Sequence, residues 1–193
     1  SDGMDDKDYS ALIIQKAQQM NDMVIGMVES SNAEIKKQSE HKTLHATKNM
    51  FGKIIEKLRP LATAKNIKLK VGKIPDVNVR VDEGQMERAV QNLVSNAVKY
   101  SPASGKLTVN LSANKKSAVL SVFNETETEI KKEDLPHVFD RFYRTDASRN
   151  SATGGHGIGL SIAKAVTEIH GGNIKAETIS GKDFVVTAIL PIK

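Results

Sequence analysis

The chain contains no cysteine. Disulfides and thiolate metal sites are therefore excluded, and the composition suits a reducing compartment. It has no run of about 18 apolar residues and no signal-peptide pattern, so the expectation is a soluble chain. Aromatic residues make up only 4%, and the 28 basic residues, set against 23 acidic ones for a net charge of +5, are scattered. No basic stripe with interleaved aromatics forms, so nucleic acid is not an expected partner. What is present is 39% apolar and 26% charged side chains in 193 residues. That suits one globular domain of about 100–200 residues plus a further element. The opening SDGMDDKD, residues 1–8, reads as a tag remnant and polar lead-in, outside the fold.

From Tyr9, the residues Ile13, Ala17, Met20, Val24, Met27 and Ser31 recur at alternating spacings of four and three, the seam of a coiled coil or helix bundle. A helix this short is marginal alone. Its apolar face packs either back on its own domain or on a second chain or antiparallel helix. EIKKQSEH, Glu34 to His41, reads as the end of this helix and a linker. Helical spacing returns over Lys48 to Ala64 through Phe51, Ile54, Ile55, Leu58 and Leu61, with Pro60 expected to bend or interrupt it. Alternation then predicts strands at Ile67–Val71 and Val77–Val81. Asp82 is placed to cap a helix with Met86, Val90, Leu93, Val94 and Ala97 on its apolar face, stopped by Ser101-Pro102. Leu107 to Leu111 and Ala118 to Phe123 read as strands, and a long irregular region runs to about Gly157. A helix from Ile158 to about His170 ends at Gly171-Gly172, and strands at Ile174–Ile179 and Phe184–Leu190 close the chain. This order predicts an α/β (α+β) sandwich, a mixed sheet with helices packed on one face.

Two segments carry chemistry. QNLVSNAVKY, Gln91 to Tyr100, puts Asn92, Asn96 and Lys99 on one strip of an otherwise apolar helix. Either the amides hydrogen-bond neighbouring backbone, or their neutral oxygens meet a hard cation while the lysine meets a phosphate. In GGHGIGLSIAK, Gly154 to Lys164, glycines 155, 157 and 159 run straight into a helix. Backbone N–H groups at such a junction approach a phosphate chain at the positive helix end. No GK[ST] follows and no strand precedes, so neither a Walker loop nor a Rossmann fingerprint fits.

Together these segments resemble the catalytic and ATP-binding domain of bacterial sensor histidine kinases, a branch of the ATPase family that includes gyrase and the large heat-shock chaperones, with a Bergerat-type fold. QNLVSNAVKYS resembles the N box; DLPHVFDRFYR, Asp134 to Arg144, the F box; GGHGIGLSIAKAVTEIHGG, Gly154 to Gly172, the G2 box; and GKDFVVTAILP, Gly181 to Pro191, the closing strand. The resemblance implies that Asn96 holds Mg²⁺ against the triphosphate of ATP. Asn92 and Lys99 approach the phosphates as catalytic residues, and Tyr100 lies near the nucleotide. Gly155, His156, Gly157, Ile158, Gly159 and Leu160 supply the phosphate-binding turn. Asn92 stands where gyrase-type relatives place a water-activating glutamate. An amide takes no proton, so transfer to another acceptor is favoured over hydrolysis.

The resemblance further implies a lid over about 144–156, with Arg144 or Arg149 available to the phosphates and Phe139 and Phe142 as its apolar anchors. His137, His156 and His170 have no ligand-spaced partners and read as surface or capping residues. Residues 9–41 resemble the second helix of a dimerisation hairpin plus linker, and residues 42–193 the ATP-binding domain. His41 and His45 lack the phosphoacceptor motif, so the phosphorylated histidine is expected outside this chain. The intact protein implied is a homodimer in the bacterial cell membrane, anchored through segments outside these 193 residues, with this part on the cytoplasmic side and a response regulator as partner.

Two places depart from the family pattern. Counting back from Ile130, the G1 aspartate that meets the adenine amino group is replaced by Glu125, with Glu127 and Glu129 at the glycine places. One extra residue puts Asn124 there instead. An asparagine oxygen accepts the same hydrogen bond without charge assistance. Asp183 stands where a glycine is usual. These departures leave an alternative open, an interaction module that binds nucleotide weakly.

Overall fold

The computed structural model describes residues 13–20, 42–145 and 157–192. Residues 13–20 are helical (α1). Two members of the expected seam, Ile13 and Met20, are exposed, so this part of the helix does not pack back on its own domain. The rest of the seam and the linker at Glu34 to His41 lie outside the described residues.

The next element was not visible in the sequence. Strand β1 (Thr43–Ala46) pairs antiparallel with β3 (Asn78–Val81) in a small two-stranded sheet. Between them run helix α2 (Thr47–Ala64) and β2 (Lys68–Val71). Helix α2 buries Met50, Phe51, Ile54, Ile55, Leu58 and Ala62. Each of these side chains other than Ala62 contributes about 1.5–3 kcal/mol relative to exposure. Leu61, expected in that stripe, is exposed because the 3.6-residue pitch carries the stripe from Leu58 to Ala62. Nor does Pro60 interrupt the helix. It lies exposed one turn from the end, where the carbonyl it leaves without a donor faces water.

Helix α3 (Glu83–Tyr100) starts where Asp82 accepts from Gln85 N–H at 2.9 Å, the cap anticipated from sequence. Strands β4 (Lys106–Ala113) and β5 (Ser117–Glu125), helix α4 (Gly159–Ile169), and strands β6 (Asn173–Glu177) and β7 (Asp183–Pro191) complete the chain. The main sheet has the order β2-β4-β5-β7-β6, with β2 parallel to β4 and the other pairs antiparallel. Along β5, Ala118, Leu120, Val122 and Asn124 are buried while the residues between them are half-buried. Helices cover the first set, giving the mixed sheet with one helix-bearing face that the sequence predicted.

His170 ties the layers together. At the end of α4 its Nδ1 lies 2.7 Å from Val166 O, and its Nε2 accepts from Asp82 N–H at 2.9 Å. This is the capping role anticipated, but in the core, since the residue is 4% exposed. Burial, outweighing the Val166 hydrogen bond, pulls the imidazole below its ordinary value of 6.5. The unfolded chain therefore binds the proton more readily, so stability is full above pH 6.5 and falls as pH drops below it. In His170→Ala this acid sensitivity should disappear, at a cost of about 1–3 kcal/mol for the orphaned Asp82 N–H. Melting curves between pH 5 and 8 check both.

Candidate functional site

Helices α3 and α4 bring the two chemistry-bearing segments together. A Cβ on Gly159 would sit 3.2 Å from Asn92 Oδ1, a tight contact, so glycine lets the start of α4 approach the amide without displacing it. Asn92, Asn96, Lys99 and Tyr100 are all half-buried along one strip of α3. Among the described residues none hydrogen-bonds the side chain of Asn92 or Asn96. The local capping role open to these amides on sequence is therefore not the one they fill.

The start of α4 suits an anion. Ile158, buried at the N-cap, provides no side-chain hydrogen bond, and the first turn holds no acid. Helix N-termini of this kind present N–H donors and a partial positive charge. Leu160, half-buried, packs against the core and fixes the turn. Gly157 has φ +69°, and a Cβ there would meet Tyr143 O at 2.6 Å. Its carbonyl accepts from Phe142 N–H at 3.0 Å, which joins the F-box segment to the glycine turn. Gly155, His156 and Arg149 lie outside the described residues, as does most of the expected lid.

Two cations converge on the far end of the strip. Burial first, and then the nearby Arg144 guanidinium, lower the Lys99 ammonium to about 8. Its Nζ also lies 4.9 Å from the Tyr100 ring centroid. Two positive groups near each other in a half-buried place disfavour each other's charge, a repulsion that a bound anion would offset. The turn that carries Lys99 is pinned by a residue that the sequence did not single out. Lys65 Nζ donates to Lys99 O at 2.9 Å, Ser101 O at 2.6 Å and Val98 O at 3.3 Å, satisfying the carbonyl end of α3. A lysine directly after a helix, facing another helix's last turn, leaves no local signal.

At the other end, β5 runs two residues beyond the expected Phe123 and separates the two G1 candidates. Asn124 is 2% exposed on the helix-bearing face, paired with Leu107 and Phe184 in the neighbouring strands. Its Nδ2 donates to Glu125 O at 2.8 Å, which leaves Oδ1 as the acceptor the amide presents. Glu125 points to the opposite face, where its carboxylate accepts from Lys106 N–H at 3.0 Å and pairs with Lys106 Nζ at 3.7 Å. Ile130 packs on the core and donates its N–H to Gly181 O at 2.7 Å. Of the two expected anchors, Phe139 packs against the core, but Phe142 is 42% exposed with φ +64°. Its backbone bond to Gly157, and not its ring, makes the attachment.

Fold and site together define an α/β sandwich in which helices α3 and α4 bring the two chemistry-bearing segments together. Residues 81–193 match the family described as histidine kinase-, DNA gyrase B-, and HSP90-like ATPase. The chain belongs to that family. It is 40% identical over 119 residues to the sensor histidine kinase WalK of Bacillus subtilis (strain 168), covering 61% of this chain but 20% of that one. The chain thus spans about a fifth of that relative's length. The mycobacterial sensor histidine kinase MprB superposes with a TM-score of 0.69 at 25% identity, covering 78% of this chain and 99% of that one. Histidine kinase ThkA in complex with response regulator protein TrrA gives a TM-score of 0.71 at 20% identity over 100% of this chain and 53% of that one, which shows a shared fold.

Proposed function

We propose that the chain is the catalytic, ATP-binding part of a two-component sensor histidine kinase. It would bind Mg-ATP and pass the γ-phosphoryl group to a histidine outside this chain. The observation that carries the reading is the strip of α3, where two amides make no hydrogen bond to any described residue, the first of them, Asn92, faces the start of α4, and the strip ends on Lys99 beside Arg144. Lys99 and Arg144 neutralise the phosphates, and the α4 N-terminus receives them. Asn124 Oδ1 accepts from the adenine amino group, and Tyr100 lines the nucleotide.

Among the described residues no group of three or more His, Cys, Asp or Glu could hold a metal. Amide oxygens suit a Mg²⁺ that takes its other oxygens from phosphate and water. Asn96 would hold it, assisted by Asn92, and the ion would supply charge neutralisation of the triphosphate. In the transfer, the bond between the γ-phosphorus and the β–γ bridging oxygen breaks, a bond from that phosphorus to the acceptor imidazole nitrogen forms, and ADP leaves. The chain's own contribution is positioning. Asn92 offers no carboxylate to take a proton from water, so hydrolysis competes poorly.

WalK's name and the ThkA–TrrA complex support a response regulator as partner and residues 42–193 as the catalytic unit. The exposed Ile13 and Met20 support a dimer built through the N-terminal helix in the intact protein. Among the described residues no helix is long and apolar enough to cross a membrane. A membrane anchor would lie in segments outside these 193 residues.

Calorimetric titration with a non-hydrolysable ATP analogue, with and without Mg²⁺, tests the reading. Micromolar to submillimolar binding that strengthens with Mg²⁺ is expected. No heat at millimolar analogue would overturn it in favour of the interaction module.

A further inference from the structure

The stretch Thr126–Ile130 has no glycine, yet the turn between β6 and β7 holds it at both ends. Thr126 N–H donates to Lys182 O at 3.1 Å and Ile130 N–H to Gly181 O at 2.7 Å. One carboxylate shapes that turn. Asp183, 7% exposed, accepts at Oδ1 from Ile179 N–H at 2.6 Å and from the Thr178 hydroxyl at 3.1 Å. Its Oδ2 accepts from Ser180 N–H at 3.0 Å and from the Ser180 hydroxyl. Thr178 Oγ1 in turn accepts from Gly181 N–H at 2.9 Å. Gly181 takes φ +82°, and a Cβ there would lie 3.3 Å from Glu129 Cγ, so turn and loop are in direct contact. Burial alone would raise the Asp183 carboxyl, but the hydrogen bonds from Ser180, Ile179 and Thr178 outweigh it and hold the group below its ordinary value.

The neighbourhood gives this clamp a consequence at the base end of the site. Asp183 pairs with Glu125 and Phe184 with Asn124 in the β5–β7 register, so the clamp sits one residue from the amide that faces the helix side. A glycine at position 183 would leave the turn, and with it the loop, free to sample other shapes. A carboxylate with four donors fixes one.

We propose that Asp183 is a positioning residue for the base end of the nucleotide site: it sets the β6–β7 turn, the turn holds residues 126–130, and the loop keeps Asn124 aligned with an adenine. This rests on the site reading above. The alternative is a carboxylate that only stabilises its own hairpin.

Two measurements on the full chain separate these. In Asp183→Ala, amide exchange at Thr126 and Ile130 should accelerate about tenfold or more relative to Leu120 in β5. In the same variant the affinity for an ATP analogue should fall about tenfold, while that for inorganic tripolyphosphate should change less than about twofold. Asp183→Asn keeps Oδ1 as an acceptor and should recover part of both effects, which also guards against a variant that fails to fold. Unchanged exchange at the two amides overturns the proposal. So does an equal loss for analogue and tripolyphosphate. A wild-type chain that binds neither ligand sinks the site reading instead, and the exchange result then decides the hold on the loop by itself.

Discussion

Lys99→Met should bind an ATP analogue about 10–100-fold more weakly than the wild type at pH 7, yet melt at a higher temperature when free of nucleotide. The first effect follows from losing a charge-assisted contact of about 1.5–3 kcal/mol to phosphate. The second follows from the half-buried ammonium, which burial and Arg144 depress to about 8. Its value in the unfolded chain is 10.5, so the unfolded state holds the proton more firmly. The cost of burying the charge is therefore full below pH 8 and relieved as pH rises to about 10.5. Methionine keeps the apolar stem and removes that cost. Phosphate bound beside the ammonium would raise its pKa again, so wild-type affinity should fall as pH rises above about 8, while the variant's affinity stays flat. Titrations at pH 7, 8 and 9, with melting curves of both proteins, check this. A flat wild-type profile would remove Lys99 from the phosphate site.

The main sheet and the polar strip of α3 were legible in the sequence because both follow strict periods. Leu107, Val109 and Leu111 recur every second residue, while Val90, Leu93, Val94 and Ala97 follow the helical period. Asp82 announced its own cap. What stayed hidden was non-local. Thr43–Ala46 is too short to alternate convincingly and becomes a strand only because β3 lies beside it. Lys65 acquires its role from carbonyls more than thirty residues away. The choice between Asn124 and Glu125 depended on which face of β5 each residue takes. A one-residue difference in register exchanges those faces, and spacing from Ile130 alone did not fix it. Asp183 was visible as a departure from a glycine, but its four donors come from the hairpin it closes.

The effect of Asn96→Ala should be larger still and confined to the metal. Asn96 lies one turn beyond Asn92, half-buried, and its amide makes no hydrogen bond to any described residue. Removing it breaks no hydrogen bond among them. Alanine also has the highest helix propensity, so α3 should form at least as well. The variant is therefore expected to fold with an unchanged or slightly higher melting temperature. Under the proposed function this neutral oxygen shares a hard cation with the phosphates, and a Mg²⁺ site that depends on one or two protein oxygens has little reserve when one is lost. Mg²⁺ should strengthen analogue binding to the wild type and leave the variant unchanged, and phosphoryl transfer to a supplied histidine-bearing partner should fall by about two orders of magnitude or more. Paired calorimetric titrations with Mg²⁺ and with chelator give the first result, and autoradiography of the partner gives the second. If Asn96→Ala keeps the wild-type dependence on Mg²⁺, the ion is held elsewhere, and Asn92, facing Gly159 across the helix junction, becomes the ligand to test.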